Sequence, residues 1–244
     1  MSPSDRHPVR VEREPADRVS QVELPRQPWQ PVVVEYAQAL AVAVVLALFI
    51  RTFFIQAYKI PSGSMEPTLL IGDHLLVNKM AYGLRMPDSL LGFDPLPSVI
   101  PYGRYLFRLA PVRRGDVVVF VFPLDPTKDF IKRVIGVGGD TVRVHDGIVY
   151  LNGKQMADPH AHYDVAPGTA TGVTPRDDFG PVTVPKGKLL MMGDNRDHSY
   201  DSRFWGFVDV NAVEGHALII YWSWNRNGKS FFPVRWWRMG RVIH

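Results

Sequence analysis

The chain has 244 residues, 46% of them apolar and 21% charged, a balance that excludes both a disordered chain and a polytopic membrane protein. Cysteine is absent, which excludes disulfides, Cys-ligated zinc, iron–sulfur clusters and a thiol nucleophile. A net charge of +4 is too small to argue for nucleic acid, while 20 Gly and 21 Pro exceed the usual combined share of about 12% and suggest a turn-rich β protein.

Residues 1–31 hold six Pro, five Arg and five acidic residues, the composition of a disordered tail. From Tyr36 to Ile50 there is no charge; Arg51 follows, and TFFIQAY runs on to Tyr58. Taken over 36–56 this is 21 residues, a helix roughly 31 Å long and about one hydrocarbon core thick. One transmembrane helix is therefore expected over 36–56, with Trp29, Tyr36 and Tyr58 as interfacial anchors and Arg51 snorkelling to the headgroups. A cleaved signal peptide starts within a few residues of the terminus, whereas here a long polar leader comes first. Arg18 and Arg26 before the span and Arg51 and Lys59 after it leave no charge bias to orient it.

Immediately after the span comes Ile60-Pro61-Ser62-Gly63-Ser64-Met65-Glu66-Pro67-Thr68. Two serines flank a glycine that lets a backbone approach closely, and a serine nucleophile needs such a rigid, exposed turn with oxyanion donors beside it. Composition alone favours a linker here.

Farther on, the apolar runs are short and β-branched: 117–122, 130–137, 141–144, 148–151, 182–184, 188–193 and 217–224 read as strands. Turn signals separate them, including Asp146-Gly147 and Asn152-Gly153. GVGG at 136–139 reads as a turn rather than a phosphate loop. The expected architecture is an all-β domain, sandwich- or barrel-like, and the less regular residues 152–181 read either as a small inserted subdomain or as a long loop.

Within the 130–137 strand, alternation places Phe130, Lys132 and Val134 on one face and Ile131, Arg133 and Ile135 on the other. A buried lysine has a lowered pKa and can serve as a general base; an edge-strand lysine in water is the commoner case. Gly193–Arg203 (GDNRDHSYDSR) is a dense polar run in which alternating Asp and Arg can form an ion-pair network. A cation on Asp194, Asp197 and Asp201 would compete with Arg196 and Arg203. A Ser-His-Asp triad through His198 also remains open, although no G-x-S-x-G elbow surrounds Ser64.

Three separated segments, 60–69 (IPSGSMEPTL), 129–136 (DFIKRVIG) and 193–203 (GDNRDHSYDSR), resemble the signature boxes of bacterial type I signal peptidases. Their order and spacing match as well, and 79–85 (KMAYGLR) and 114–120 (RGDVVVF) are similar to further family stretches. The resemblance covers roughly residues 36–244 and implies a mostly β, antiparallel, barrel-like catalytic domain over 57–139 and 185–244, with a small inserted β subdomain over 140–184. It implies Ser64 as nucleophile, Lys132 as general base, and Ser62 with the Ser64 N–H as oxyanion hole. It implies that Ser199 orients the lysine, and that Arg133, Asp194, Asp201 and Arg203 are supporting charges. Ile60, Met65, Leu69, Phe130 and Ile131 are the implied walls of pockets for small substrate side chains. No metal or cofactor is implied.

The implied partners are preprotein signal peptides and membrane lipid, with no nucleic acid. The implied place is a bacterial cytoplasmic membrane, with the catalytic domain outside. After Glu214 no acid occurs, while Arg226, Lys229, Arg235, Arg238 and Arg241 alternate with Trp222, Trp224, Phe231, Phe232, Trp236 and Trp237, a pattern suited to an anionic lipid surface or, in part, to a β core. The competing readings are a specialised Ser–Lys peptidase with one dedicated substrate, a self-cleaving repressor-type peptidase, and a non-catalytic tethered β domain.

Overall fold

A computed structural model describes residues 29–85, 105–164, 175–225 and 233–244. The chain divides into two units, residues 1–42 and 43–244. Helix α1 (Trp29–Phe53) begins in the first and ends in the second. Pro31 sits in its first turn, where a missing N–H breaks no helical bond. Over Val32–Phe53 the helix is long and apolar enough to cross a membrane.

The helix is displaced from the expected 36–56. It starts at Trp29, and the tail expected over 1–31 lies outside the described residues up to position 28. Its end is set by tertiary pairing. Ile55–Lys59 forms strand β1, which lies antiparallel to β2 (Asp73–Asn78), with Ile55 opposite Asn78 and Lys59 opposite His74. Lys79 N–H also reaches Phe54 O at 2.9 Å. Aromatic and β-branched residues follow a pleated chain readily once a partner strand is present. Tyr58 is consequently no lipid anchor: it packs against the core, and its hydroxyl donates to the Glu214 carboxylate.

The remaining strands are β3 (Gly83–Arg85), β4 (Tyr105–Arg108), β5 (Val117–Val121), β6 (Asp129–Val137), β7 (Thr141–His145), β8 (Ile148–Leu151), β9 (Lys154–Gln155), β10 (Phe179–Thr183), β11 (Lys188–Met192), β12 (Val208–Asp209) and β13 (Val213–Ser223). A curled seven-stranded antiparallel sheet runs β1-β2-β13-β5-β6-β11-β12. It is a half-barrel: among the described residues β1 and β12 are its open edges. A second sheet of four strands, β10-β7-β8-β9, falls within residues 141–183, and β3 and β4 form a third. The hairpin turns at Asp146-Gly147 and Asn152-Gly153 have positive φ at both central residues, the form that matches strand twist.

Strand β6 organises the core. Ile131 packs on a cluster containing Ile60, Met65, Leu69, Leu75 and Val119. Phe130 and Val134 belong with Val118, Phe120 and Met191, while Ile135 joins Val142, Val184 and Leu190 between the two larger sheets. The alternation read from the sequence is the one observed. Fully burying each such side chain is worth about 1.5–3 kcal/mol, so a one-residue slip of β6 would invert every one of these placements.

Candidate active site

Ser64 stands on the loop between β1 and β2. Met65 and Leu69, both fully buried, hold that loop to the core. Glu66 N–H donates to Gly63 O at 3.1 Å, and Leu69 N–H to Met65 O at 2.9 Å. Beneath it, the buried Asp73 carboxylate accepts from Ser223 Oγ at 2.6 Å and from Arg238 Nε at 3.0 Å, while Arg238 Nη2 reaches Thr68 O at 2.9 Å. A charge this deep is tolerable because it is paired and fully hydrogen-bonded.

Lys132 arrives from β6 and is 4% exposed. Its Nζ lies 2.5 Å from Ser64 Oγ. Burial pushes its amine down to about 8, although Asp201 and Asp194 pull upward. A fraction of the amine is therefore neutral near neutral pH, and a neutral amine beside a hydroxyl can accept its proton.

Arg133, next in the chain, points to the other face. Its Nε and Nη2 donate to Asp194 Oδ1 and Oδ2 at 2.7 and 2.8 Å. Its Nη1 reaches Gly115 O at 2.7 Å. This two-pronged pairing is the strong, orientation-fixing kind. Thr68 Oγ1 also donates to Asp194, at 2.6 Å, tying the serine loop to the same carboxylate. Asp201 accepts from Arg203 Nε and Nη2, both at 2.9 Å, and from Gly193 N–H at 3.1 Å. Burial would raise the Asp201 pKa, but Arg203, Ser199 and the Gly193 N–H together outweigh it and hold the carboxyl below its ordinary value. Asp201 also caps the short helix α2 (Ser202–Trp205).

The other expected residues are placed as follows. Ser62 is exposed at the mouth of the loop, and Ser64 N–H donates no hydrogen bond among the described residues. Ser199 is fully buried; it helps lower the Asp201 pKa, yet its hydroxyl has no hydrogen bond of acceptable geometry, to Lys132 or to any other described group. Ile60, Met65 and Leu69 form a buried floor under Ile131. Phe130 is half-buried, stacked on Phe122 at 4.2 Å between ring centroids. Strand β11 pairs with β6 only from Arg133 onward, where Met192 is opposite. The edge of β6 over residues 130–132 therefore has no strand partner on that side among the described residues. His198 binds Asp164 rather than Ser64, so the histidine triad is not assembled.

Several contributors were missed by sequence reasoning. Asn195 N–H donates to Ser64 O at 3.1 Å. A Cβ on Gly193 would fall 2.3 Å from both Ser64 O and Ser199 Oγ, so that glycine is needed for close approach. Both lie inside the 193–203 run, where the density of polar residues was the available signal. Arg196 is buried against Asp158 and Tyr163, and a pair 38 positions apart leaves no local pattern.

A family model described as signal peptidase, peptidase S26, matches residues 33–222. The signal peptidase I of Pseudomonas aeruginosa is 36% identical, with 88% of this chain and 81% of that protein covered. A probable signal peptidase I-2 of Synechocystis sp. is 40% identical, covering 80% and 75%. The signal peptidase I of Bacillus licheniformis is 34% identical, covering 80% and 92%. With a match across most of its length, and a buried lysine amine against a loop serine, the chain belongs to the signal peptidase family of serine endopeptidases, peptidase S26.

Proposed function

We propose that this enzyme cleaves signal peptides through a Ser64–Lys132 dyad while α1 holds it in a bacterial cytoplasmic membrane. The carrying observation is the 2.5 Å approach of Lys132 Nζ to Ser64 Oγ at a buried amine lowered to about 8. Neutral Lys132 takes the Ser64 proton as Oγ attacks the scissile carbonyl. The developing oxyanion is met by Ser64 N–H and the Ser62 hydroxyl, donors that cost no reorganisation at the moment of reaction. The protonated lysine then returns its proton to the leaving amine. Water, deprotonated by the same lysine, releases the acyl group.

The edge of β6 over 130–132, which has no strand opposite it on the β11 side among the described residues, supports an extended substrate that adds as a strand, bound through its backbone. Ile131 and Phe130 are then the walls, and Ile60, Met65 and Leu69 the floor, of shallow pockets that fit small residues of the A-x-A kind. Arg133–Asp194 and Asp201–Arg203 hold the two loops and set the local field, and Ser199 steadies the lysine once substrate has excluded water. Residues 57–244 lie outside the cytoplasmic membrane in this reading. Exposed Trp236 and Trp237, beside Arg235 and Arg241, suit the lipid interface.

The test is cleavage of a purified preprotein by the detergent-solubilised full chain with Ser64→Ala and Lys132→Ala alongside. Both variants are expected to be inactive; full activity of Lys132→Ala at neutral pH would overturn the dyad. Protease accessibility of residues 60–244 in intact cells against spheroplasts checks the topology.

A further inference from the structure

Asn195 touches the peptide groups on both sides of Ser64. Its backbone N–H donates to Ser64 O at 3.1 Å, and its side-chain Nδ2 donates to Gly63 O at 3.2 Å. A trans peptide is planar, with C=O and N–H pointing in opposite directions. Holding Gly63 C=O therefore fixes where Ser64 N–H points. The backbone bond to Ser64 O fixes the next peptide plane, so the φ and ψ of Ser64 are both constrained from one residue.

Asn195 is itself held. His162 N–H donates to Asp194 O at 2.7 Å and Arg196 N–H to His162 O at 2.9 Å, so the chain around His162 runs parallel to Asn195 and bonds to the peptides flanking it. Asn195 is 7% exposed. Gly63 O can only accept, so the amide must present Nδ2 to it. That leaves Asn195 Oδ1 buried without a partner. A buried acceptor without a donor is destabilising, and an amide serving only to pack would avoid it. Gly63 O also takes the Glu66 N–H, so both its lone pairs are engaged and the peptide has little freedom to rotate.

We propose that Asn195 is a positioning residue for the oxyanion hole: it sets the direction of Ser64 N–H without touching substrate. The inference rests on the reading of Ser64 as the nucleophile. It assigns Asn195 to transition-state stabilisation and not to substrate binding or to the lysine.

The test uses the full chain in detergent, with Asn195→Ala, which keeps the bond to Ser64 O, and Asn195→Asp, which sets a carboxylate against Gly63 O. Expected in both is a kcat lower by about ten- to a hundredfold; KM and the pH midpoint should be unchanged in Asn195→Ala, whereas the added carboxylate of Asn195→Asp raises the midpoint through Lys132. A peptide aldehyde ending in alanine, whose oxyanion occupies the hole once Ser64 adds to it, should bind more weakly in proportion to the loss in kcat/KM. Near-UV circular dichroism corrects for any unfolded fraction, and Ser64→Ala must be inactive for the comparison to report on Asn195. In Asn195→Ala, wild-type kcat, a loss confined to KM, a displaced pH midpoint, or unaltered aldehyde affinity would each overturn the assignment.

Discussion

Arg133 grips Asp194 through parallel bonds of 2.7 and 2.8 Å, one residue from the lysine that reaches Ser64. The pleat of β6 sends the two cations to opposite faces, so one strand supplies both the chemistry and its support. Asp194 also takes the Thr68 hydroxyl, and through it the pair locks the 193–203 loop to the serine loop. Arg133→Met leaves a fully buried carboxylate without its partner and should destabilise the protein by about 3–5 kcal/mol. Chemical denaturation at pH 7 measures this, and a loss below about 1 kcal/mol would contradict the pairing as a support.

The lowered Lys132 amine sets a pH profile. With its pKa at about 8, kcat/KM should climb through a midpoint near that value and fall about tenfold per unit well below it. A midpoint near 10 would mean that the lysine sits in water. Because Asp201 raises the Lys132 pKa, Asp201→Asn should move the midpoint downward in whatever activity survives.

The same lysine affects stability. Free in an unfolded chain it holds its proton to about 10.5, in the folded protein only to about 8. Between those values the unfolded state binds more protons, so stability rises with pH there, and below about 8 the full cost of the buried ammonium is present. That cost is about 3 kcal/mol. Lys132→Met should therefore be inactive yet more stable than the native enzyme at pH 7, by up to about 3 kcal/mol, with the advantage fading above about pH 10. Equal or lower stability of Lys132→Met at pH 7 would show that the ammonium is well solvated.

Gly193→Ala tests the close approach of the two loops. Its Cβ would meet Ser64 O and Ser199 Oγ at 2.3 Å, and the serine loop backbone must move. Expected are a loss of about 1–3 kcal/mol and a fall in kcat of a hundredfold or more. Native kcat in this variant would mean that the loop can yield without moving Ser64.

Trp236 and Trp237 are 62% and 78% exposed, with Trp222 set edge-on to Trp236 at 5.9 Å. Replacing both by Ala should reduce binding of the chain to anionic vesicles with little change in Tm. Unchanged binding would remove them from the lipid interface.

The apolar runs of β5, β6, β8, β11 and β13 were legible because each is a strand with a buried face, and alternation along β6 correctly separated Lys132 from Arg133. Strands β1 to β4, β9 and β12 were not read. β1 looks like the end of an apolar helix, and only the partner β2 turns Ile55–Lys59 into a strand. Phe231 and Phe232 lie outside the described residues. Tyr58, read as an anchor, is drawn inward because Glu214 offers a buried carboxylate to its hydroxyl.

The sequence alone determined the apolar helix, the β class, the exclusion of thiol chemistry and the three segments whose match identifies the family. These are properties of composition and of spacing along the chain. Only the tertiary structure decided that Lys132 is dry and meets Ser64 across 68 positions, that His198 turns to Asp164, and that Asn195 braces both peptides around the serine. Desolvation and hydrogen-bond direction depend on what surrounds a group in space, and residues far apart in the chain supply those surroundings.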